Sequence, residues 1–434
     1  MTAFLLYVAL FLLLAFWDAR EVKTASGFFI NSQQSSRTQV SFSLIASCVG
    51  GSATIGMCGL AYQVGMPAFW WLGSGAIGLA VLTLFLAKKV RNGEALTMPE
   101  MVKRDLGTPA HKAITLTIFI AWIAILAAQF VAMSQVIDLL TGWGTQNALI
   151  AGSLFIVAYT LLGGQTSVMK SDVLQLIVMI VGLLLLLFYV RSDVSVALQR
   201  TAFEFTNESF GLSKVTYFLL LLGGSYVVCP MLFSRFMSAK NEKVAVQSGW
   251  IAVVGLFLMT TLIVVIGLAA QSALPAGVAS DKVLMELVGM LPLWGQTLLL
   301  LALMSAILSS ADSCLITAAT VLSNDLFRRP TIGFSRLCIV VIGALGLLLS
   351  YGDRGILGLL LMANNIYVCG VVAPVFVAMV SGKAQDARWV LVAVVVGGAL
   401  GLVSEVTQVT TVSYVAILLS IVISIIAMRQ GKQN

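Results

Sequence analysis

Long apolar runs, separated by short polar breaks, cover most of the chain. The runs are about 16 to 28 residues long, near or above the roughly 20 that an α-helix needs to cross a bilayer. Segmenting the chain in this way predicts thirteen spans, at 2–17, 41–64, 67–87, 113–140, 147–162, 170–190, 215–234, 247–270, 293–322, 335–350, 355–380, 389–405 and 411–428. We therefore expect an all-α integral membrane protein with about thirteen transmembrane helices.

Composition agrees with this pattern and excludes a soluble protein. Hydrophobic residues make up 59% of the 434 residues and charged residues only 10%, a balance that no soluble domain of this length needs for its core. The first apolar run lacks a basic segment before it and a small-residue cleavage site after it, so we expect it to be retained as a helix and not removed as a signal peptide.

Positive charges lie mainly on one side of the predicted membrane. If the first loop, DAREVKTASG, is cytoplasmic, the loops on that side hold 20 of the 25 Lys and Arg residues, including those in AKKVRNG, VKRD, RFMSAKNEK and FRRP. The positive-inside rule then predicts an N-terminus outside and a C-terminus in the cytoplasm, in a multi-pass protein of the plasma membrane, specifically a bacterial inner membrane. Because the charges are spread over short loops, the net charge of +7 does not indicate nucleic-acid binding.

Cysteine and histidine give no sign of an enzyme or a zinc site. All six cysteines fall within apolar runs without a CxxC pair, so we expect free core thiols. The single histidine, His111, stands beside Lys112 and is interpreted as a solvated loop residue. The chain lacks the sequence motifs of a serine–histidine hydrolase and of a membrane-embedded protease, so we expect no enzymatic activity.

The stretch SAILSSADS, at 305–313, places several oxygens inside an apolar run. On a helical wheel the polar positions and Ala306 fall within an arc of about 160°. A carboxylate such as Asp312 costs about 2.5 to 3.5 kcal/mol near the bilayer centre, and it normally marks an ion or proton path. Asp172 is the other candidate acid, although its closeness to Lys170 also permits an interfacial salt bridge. Serine and carboxylate oxygens suit a hard cation such as Na⁺.

A Gly-Gly-Ser sequence occurs in the middle of two predicted spans, in VGGSATIG (49–56) and in LGGSYVVCP (222–230). Glycine and proline weaken a helix at these points and release backbone groups. Paired interrupted helices five spans apart are typical of an inverted-repeat transporter with its substrate near the bilayer midplane.

These motifs resemble, in the same order, those of the solute:sodium symporter family. The resemblance rests on TIGMCGLAYQVG (54–65), YTLLGGQTSVMKSDVLQLIVMIVG (159–182), CPMLFSRFMSAKNEKVA (229–245) and SAILSSADS. It implies a single transmembrane transporter domain over 1–434, with the leucine-transporter type of fold. An N-terminal extra helix and loop (1–40) would precede two inverted five-helix repeats (41–190 and 215–380), and two C-terminal helices (381–434) would follow.

The same resemblance implies a principal Na⁺ site between the second and ninth spans, with Na⁺ as the coupling ion. Its ligands would be the backbone carbonyls of Ala46, Val49 and Ala306 and the hydroxyls of Ser309 and Ser310. Some relatives have a second cation site, which here would fall on Asp172, Ser309, Asp312 and Ser313. That second site is compatible with Na⁺, with a proton or with a structural role.

The resemblance implies fewer residues of the solute site. The matching stretch of the second span, GGSA, lacks the acid and amide of sugar-transporting relatives and the tryptophan of proline-transporting ones, and the fourth span lacks the arginine of a sialic-acid transporter. The candidates for the pocket are Ser52, Ala53, Gln129, Tyr226, Cys229 and Asn365. The solute, the Na⁺ to solute stoichiometry and the oligomeric state stay open.

The function that follows is sodium-coupled symport of a small polar organic solute into the cell by alternating access. A proton-coupled transporter on the same fold is the alternative, with Asp172 and Asp312 as titrating groups. A sensor of that fold is a further alternative, but the chain ends at MRQGKQN with no signalling domain appended. We expect the solute and the lipid bilayer as partners, and no obligate protein partner.

Overall fold

The computed structural model describes residues 2–20, 24–200 and 204–431, and the regular elements of this part of the chain are helices. We number them α1 (Thr2–Ala19), α2 (Ala25–Ile30), α3 (Arg37–Cys48), α4 (Ser52–Val64), α5 (Met66–Phe85), α6 (Ala87–Asn92), α7 (Met98–Leu106), α8 (Thr108–Thr141), α9 (Thr145–Tyr189), α10 (Arg191–Arg200), α11 (Leu212–Ser238), α12 (Glu242–Ala273), α13 (Val283–Gly289), α14 (Leu293–Leu326), α15 (Ile332–Ser350), α16 (Ile356–Ser381), α17 (Ala387–Thr407) and α18 (Thr410–Gln430).

The helical membrane class is confirmed, whereas the number of spans is not. Among the described residues, ten helices are long and apolar enough to cross a membrane, and the bent pair α3 and α4 would add an eleventh. The first apolar helix, Thr2–Trp17, is shorter than these. Two predicted spans, 147–162 and 170–190, lie on the single 45-residue element α9.

The two predicted spans on α9 fold back on each other at Gly164. This residue has φ 59° and ψ −168°, and a Cβ atom there would overlap the ring of Phe28, so glycine is required. The Tyr159 hydroxyl donates a hydrogen bond of 2.7 Å to Ser171 Oγ, twelve residues further along. Twelve residues of straight helix rise about 18 Å, so this contact exists only because the chain reverses direction.

Both predicted helix interruptions are present. α3 begins with a capping box between Ser36 and Gln39 and ends at Val49, whose φ of −103° and ψ of 68° leave the helix. The chain then bends by 59° into α4, which opens with a π-helical turn, Ser52–Gly56. α11 has a π-helical turn at Leu219–Gly223, leaves the helix at Val228 and resumes at Pro230. Such turns are frequent at functional sites.

α14 is the central helix of the molecule. Its most apolar stretch is 94% buried, against 33 to 61% for the other nine candidate spans, so α14 is enclosed by protein and the others also face lipid. Its neighbours include α3, α8 and α9. The oxygen-rich sequence of α14 therefore faces other helices.

The outer segment before α14 packs on the membrane helices. Ser280 contacts Gly59 of α4 so closely that a Cβ at Gly59 would overlap its backbone. Asp281 accepts a hydrogen bond from the backbone N–H of Ile356, the first residue of α16. Burial raises the pKa of the Asp281 carboxyl above its usual range, although this hydrogen bond opposes the rise.

Candidate sodium and solute sites

Four of the five residues predicted to bind the principal Na⁺ come together where α3 ends against the middle of α14: Ala46, Ala306, Ser309 and Ser310. The Ser309 hydroxyl lies 3.0 Å from the Ala46 carbonyl oxygen and 2.9 Å from that of Ala306. The Ser310 hydroxyl lies 3.3 Å from the Ala46 carbonyl oxygen. Because the last carbonyls of a helix lack partners within it, the end of α3 supplies free acceptors at this point. The result is a buried set of hard oxygen donors, which fits Na⁺.

A second buried polar cluster lies beside these oxygens. The Ser43 hydroxyl donates to Asp172 Oδ2 at 2.5 Å. Ser313 Oγ lies 2.6 Å from the Ser309 carbonyl oxygen, 3.2 Å from Asp312 Oδ1 and 3.2 Å from Ser47 Oγ. The structure therefore brings Asp172, Asp312 and Ser313 close together and links them to the principal site through Ser309 and Ser47.

Arg235 occupies the centre of this cluster, and the sequence prediction was wrong about it. It was assigned to a cytoplasmic loop, but its side chain is fully buried and its Nη2 lies 3.8 Å from Asp172 Oδ2. The guanidinium also donates to Ser43 Oγ at 3.2 Å, to Ser234 Oγ at 3.0 Å and to Ser313 Oγ. The restart of α11 at Pro230 was the available signal, because it places Arg235 within the first turns of a helix.

The carboxylates of the cluster are only partly satisfied. Asp172 Oδ1 and Asp312 Oδ2 are buried without a hydrogen-bond partner among the described residues. An ion, a water molecule or a proton could satisfy such an atom. Asp172 faces Arg235 and Ser43 in the protein interior, so its assignment to an interfacial position is not supported.

A central cavity of about 90 Å³ adjoins the principal site. Ser52, Ala53, Gln129, Tyr226 and Cys229 line it, as predicted for solute residues, and Ser47, Gly50 and Ser310 are shared with the oxygen cluster. Sequence reasoning missed Trp71, Trp122 and Tyr367, which also line the cavity. In an apolar span, the sequence alone does not distinguish an aromatic residue that binds a ligand from one that packs in the core.

Gln129 joins the cavity to the helix interruption. Its Oε1 accepts a 2.9 Å hydrogen bond from the backbone N–H of Gly51, a donor that the bend between α3 and α4 leaves outside the helical ladder. Its side-chain Nε2 makes no hydrogen bond with the described residues. Gln129 therefore stabilises the bend with one atom and leaves the other for a ligand.

Asn365 does not line this cavity; its neighbour Asn364 does. Asn365 Nδ2 donates to Glu405 Oε2 at 2.9 Å, and its Oδ1 accepts from the hydroxyls of Tyr217 at 3.1 Å and Ser413 at 2.7 Å. Glu405 in turn forms a 2.6 Å ion pair with Arg354. Asn365 thus joins α11, α16, α17 and α18 on the other side of α16.

His111 is also placed differently from its prediction. It is 1% exposed, and its Nε2 lies 2.9 Å from Asp325 Oδ1 at the end of α14. Residues in the first turn of a helix can face either neighbouring helices or solvent. The charge of the adjacent Lys112, which is exposed, therefore did not indicate that His111 is buried. The solvated-loop interpretation was wrong.

The sequence model of the sodium:solute symporter family matches residues 28–397. A sodium/proline symporter of Haemophilus influenzae is 26% identical over 71% of this chain and 69% of its own length. The human high affinity choline transporter 1 is 22% identical over 84% of this chain and 70% of its own length. The Escherichia coli sodium/pantothenate symporter is 22% identical over 94% of this chain and 90% of its own length. The match to an uncharacterized symporter of Bacillus subtilis, 24% identical, spans 65% of this chain but only 59% of that protein.

Solved structures agree on the fold. A Na⁺-coupled sialic acid symporter in a substrate-bound outward-open state superposes with a TM-score of 0.82 and 15% identity, over 100% of this chain and 98% of the other. MhsT in complex with L-phenylalanine superposes with a TM-score of 0.63 and 15% identity, over 89% of this chain and 99% of the other. With the family match extending from 28 to 397, the chain belongs to the sodium:solute symporter family.

Proposed function

We propose that this protein imports a small polar organic solute together with Na⁺, by alternating access. The observation that carries the proposal is the pair Ser309 and Ser310, whose hydroxyls lie 3.0 and 3.3 Å from the Ala46 carbonyl across two helices. Family membership and the sodium-coupled relatives support it. In this proposal the protein lies in the lipid bilayer and transports a solute, without enzymatic activity and without an obligate protein partner.

The proposed mechanism couples the ion to the conformation. Ala46 and Val49 lie at the end of the interrupted helix α3, whereas Ala306, Ser309 and Ser310 belong to the central helix α14. A Na⁺ bound by both stabilises the arrangement in which these helices are close, so ion binding shifts the conformational population. The solute cavity shares Ser47, Gly50 and Ser310 with this site, and solute binding is therefore linked to the same arrangement.

The proposed repeats place the two interrupted helices in corresponding positions. α3 and α4 fall in the first repeat, 41–190, and α11 falls in the second, 215–380. The loops rich in Lys and Arg support an extracytoplasmic N-terminus and a cytoplasmic C-terminus in a bacterial inner membrane.

The second cluster is proposed as an additional cation site formed by Asp172, Asp312, Ser309 and Ser313. Arg235 already places one positive charge there. A cation therefore enters only if the guanidinium moves away from Asp172. A proton on one of the carboxylates would be accommodated without such a movement, which keeps proton coupling as the alternative function.

Purified protein in liposomes tests the proposed Na⁺ site. Ser309→Ala combined with Ser310→Ala removes two ligand oxygens and should raise the Na⁺ concentration for half-maximal uptake at least tenfold. Ser305→Ala is the matched control on the same helix, because its hydroxyl bonds Tyr7 and the Leu301 carbonyl outside the site. An unchanged Na⁺ dependence in the double variant would exclude the assigned site.

Separately imposed gradients distinguish the two coupling ions. An inward Na⁺ gradient at equal pH should drive accumulation of the solute, whereas a pH gradient without Na⁺ should not. The reverse result would support the proton-coupled alternative.

A further inference from the structure

The central cavity has an aromatic lining without an ionised side chain. Its wall contains four aromatic rings, those of Trp71, Trp122, Tyr226 and Tyr367. Arg235 and the two carboxylates, Asp172 and Asp312, belong to the neighbouring cluster and do not line the cavity. The cavity therefore offers a solute ring faces and neutral polar groups.

This lining disfavours solutes that depend on an ion pair. A primary ammonium entering the cavity would lose its hydration without gaining a side chain of opposite charge.

Four rings suit a different kind of cation. A methylated ammonium spreads its charge over methyl groups, makes few hydrogen bonds and binds to ring faces without a counter-ion. The rings are also held in place. Tyr367 donates from its hydroxyl to the Val228 carbonyl at 2.9 Å and packs edge-on against Trp122, with ring centroids 5.1 Å apart. Tyr226 lies against Gly75 and Gly78, where a Cβ atom would collide with it.

Neutral polar groups provide a place for the other end of such a solute. Gln129 Nε2 has no hydrogen-bond partner among the described residues, and Ser52 and Asn364 line the same cavity. These groups suit a hydroxyl or carboxylate carried by the solute.

Building on the proposed transport function, we infer that the solute carries a methylated ammonium group, held by the rings of Trp71, Trp122, Tyr226 and Tyr367. The polar end of the solute contacts Gln129 and its neighbours. The inference concerns only the identity of the solute, so it can fail while sodium coupling stands.

Binding of labelled choline and glycine betaine to the purified protein, in Na⁺ and in K⁺, tests this inference. We expect Na⁺-dependent binding of at least one of them. The uncharged isostere 3,3-dimethyl-1-butanol has the shape of choline without its charge, and it should compete with choline at least tenfold more weakly. Equal competition by the isostere would overturn a cation-binding role of the rings.

Matched variants connect the binding to the rings. Trp122→Phe keeps a ring and should retain binding within a fewfold, whereas Trp122→Leu should weaken it at least tenfold. Trp250→Leu is the control, because Trp250 lies exposed on α12 outside the cavity. Equal binding by Trp122→Leu and Trp122→Phe would also overturn the inference.

Thermal stabilisation by Na⁺ separates the two possible failures. If Na⁺ stabilises the protein but neither choline nor glycine betaine binds, the solute assignment is wrong and sodium coupling stands. If Na⁺ has no effect on stability and no Na⁺-dependent binding occurs, the proposed function itself fails.

Discussion

At the scale of single residues, Arg235 is a buried charge that depends on its partners. It is fully buried beside Asp172 and bonded to serines from α3, α11 and α14. Removing one partner of a buried ion pair leaves the other charge uncompensated and typically costs about 3 to 5 kcal/mol. Arg235→Met should therefore strongly lower the unfolding temperature, measured by thermal denaturation in detergent.

A double variant separates the charge from packing. Arg235→Met combined with Asp172→Asn removes both charges and should recover part of the lost stability. Arg235→Lys keeps the charge but not the planar fork that reaches several serines, so it should fall between the wild type and Arg235→Met. If the double variant is no more stable than Arg235→Met alone, the ion pair is not the reason for the loss.

His111 is the second residue whose buried partner defines its role. Its ring bonds Asp325, while Asn324 beside it donates to Glu100 at 3.0 Å, so two contacts join the end of α14 to α7 and α8. His111→Ala leaves a buried acceptor without this partner, a loss of about 1 to 3 kcal/mol. We expect a lower unfolding temperature for His111→Ala and none of this change for Lys112→Ala, since Lys112 is exposed. Equal stability of both variants would contradict a structural role for the pair.

At the scale of elements, the bend between α3 and α4 depends on close contact with α14 and α8. A Cβ atom on Gly50 would lie 2.5 Å from Ser310 Oγ and 2.8 Å from Gln129 Oε1. Gly50→Ala should therefore displace a Na⁺ ligand and the side chain that caps the bend. We expect at least a tenfold rise in the Na⁺ concentration needed for thermal stabilisation. Gly333→Ala, at an exposed helix start with nothing within 4 Å, should leave it unchanged.

Sequence patterns predicted the interruptions, and they also placed separate spans, 147–162 and 170–190, on either side of the kink at Gly164 in α9. Glycine pairs inside apolar runs mark a weakened helix whatever its neighbours are, so the breaks near Gly50 and Gly223 could be predicted locally. The position of Arg235 required knowing that α11 restarts at Pro230 and turns that side chain inward. The direction of Asn365 also depended on its neighbours, because adjacent residues on a helix point about 100° apart and either asparagine could have faced the cavity.

At the scale of the whole molecule, ion coupling sets the limit of accumulation. One positive charge moving inward across about 100 mV gains roughly 2.3 kcal/mol. A tenfold Na⁺ gradient adds about 1.4 kcal/mol. Together they support about 500-fold accumulation of a solute without net charge if one Na⁺ moves per cycle.

This limit gives a prediction that separates voltage from concentration. In liposomes with a potassium diffusion potential, collapsing the voltage should lower the accumulation of a solute without net charge about 50-fold, and removing the Na⁺ gradient about tenfold. A second Na⁺ per cycle, bound at the Asp172 and Asp312 cluster, would square both factors, because each ion contributes its own voltage and concentration terms. Asp172→Asn should then return the factors to those of one ion. Factors for one Na⁺ in both the wild type and the variant would show that this cluster, with Arg235 as its fixed charge, does not bind a transported ion.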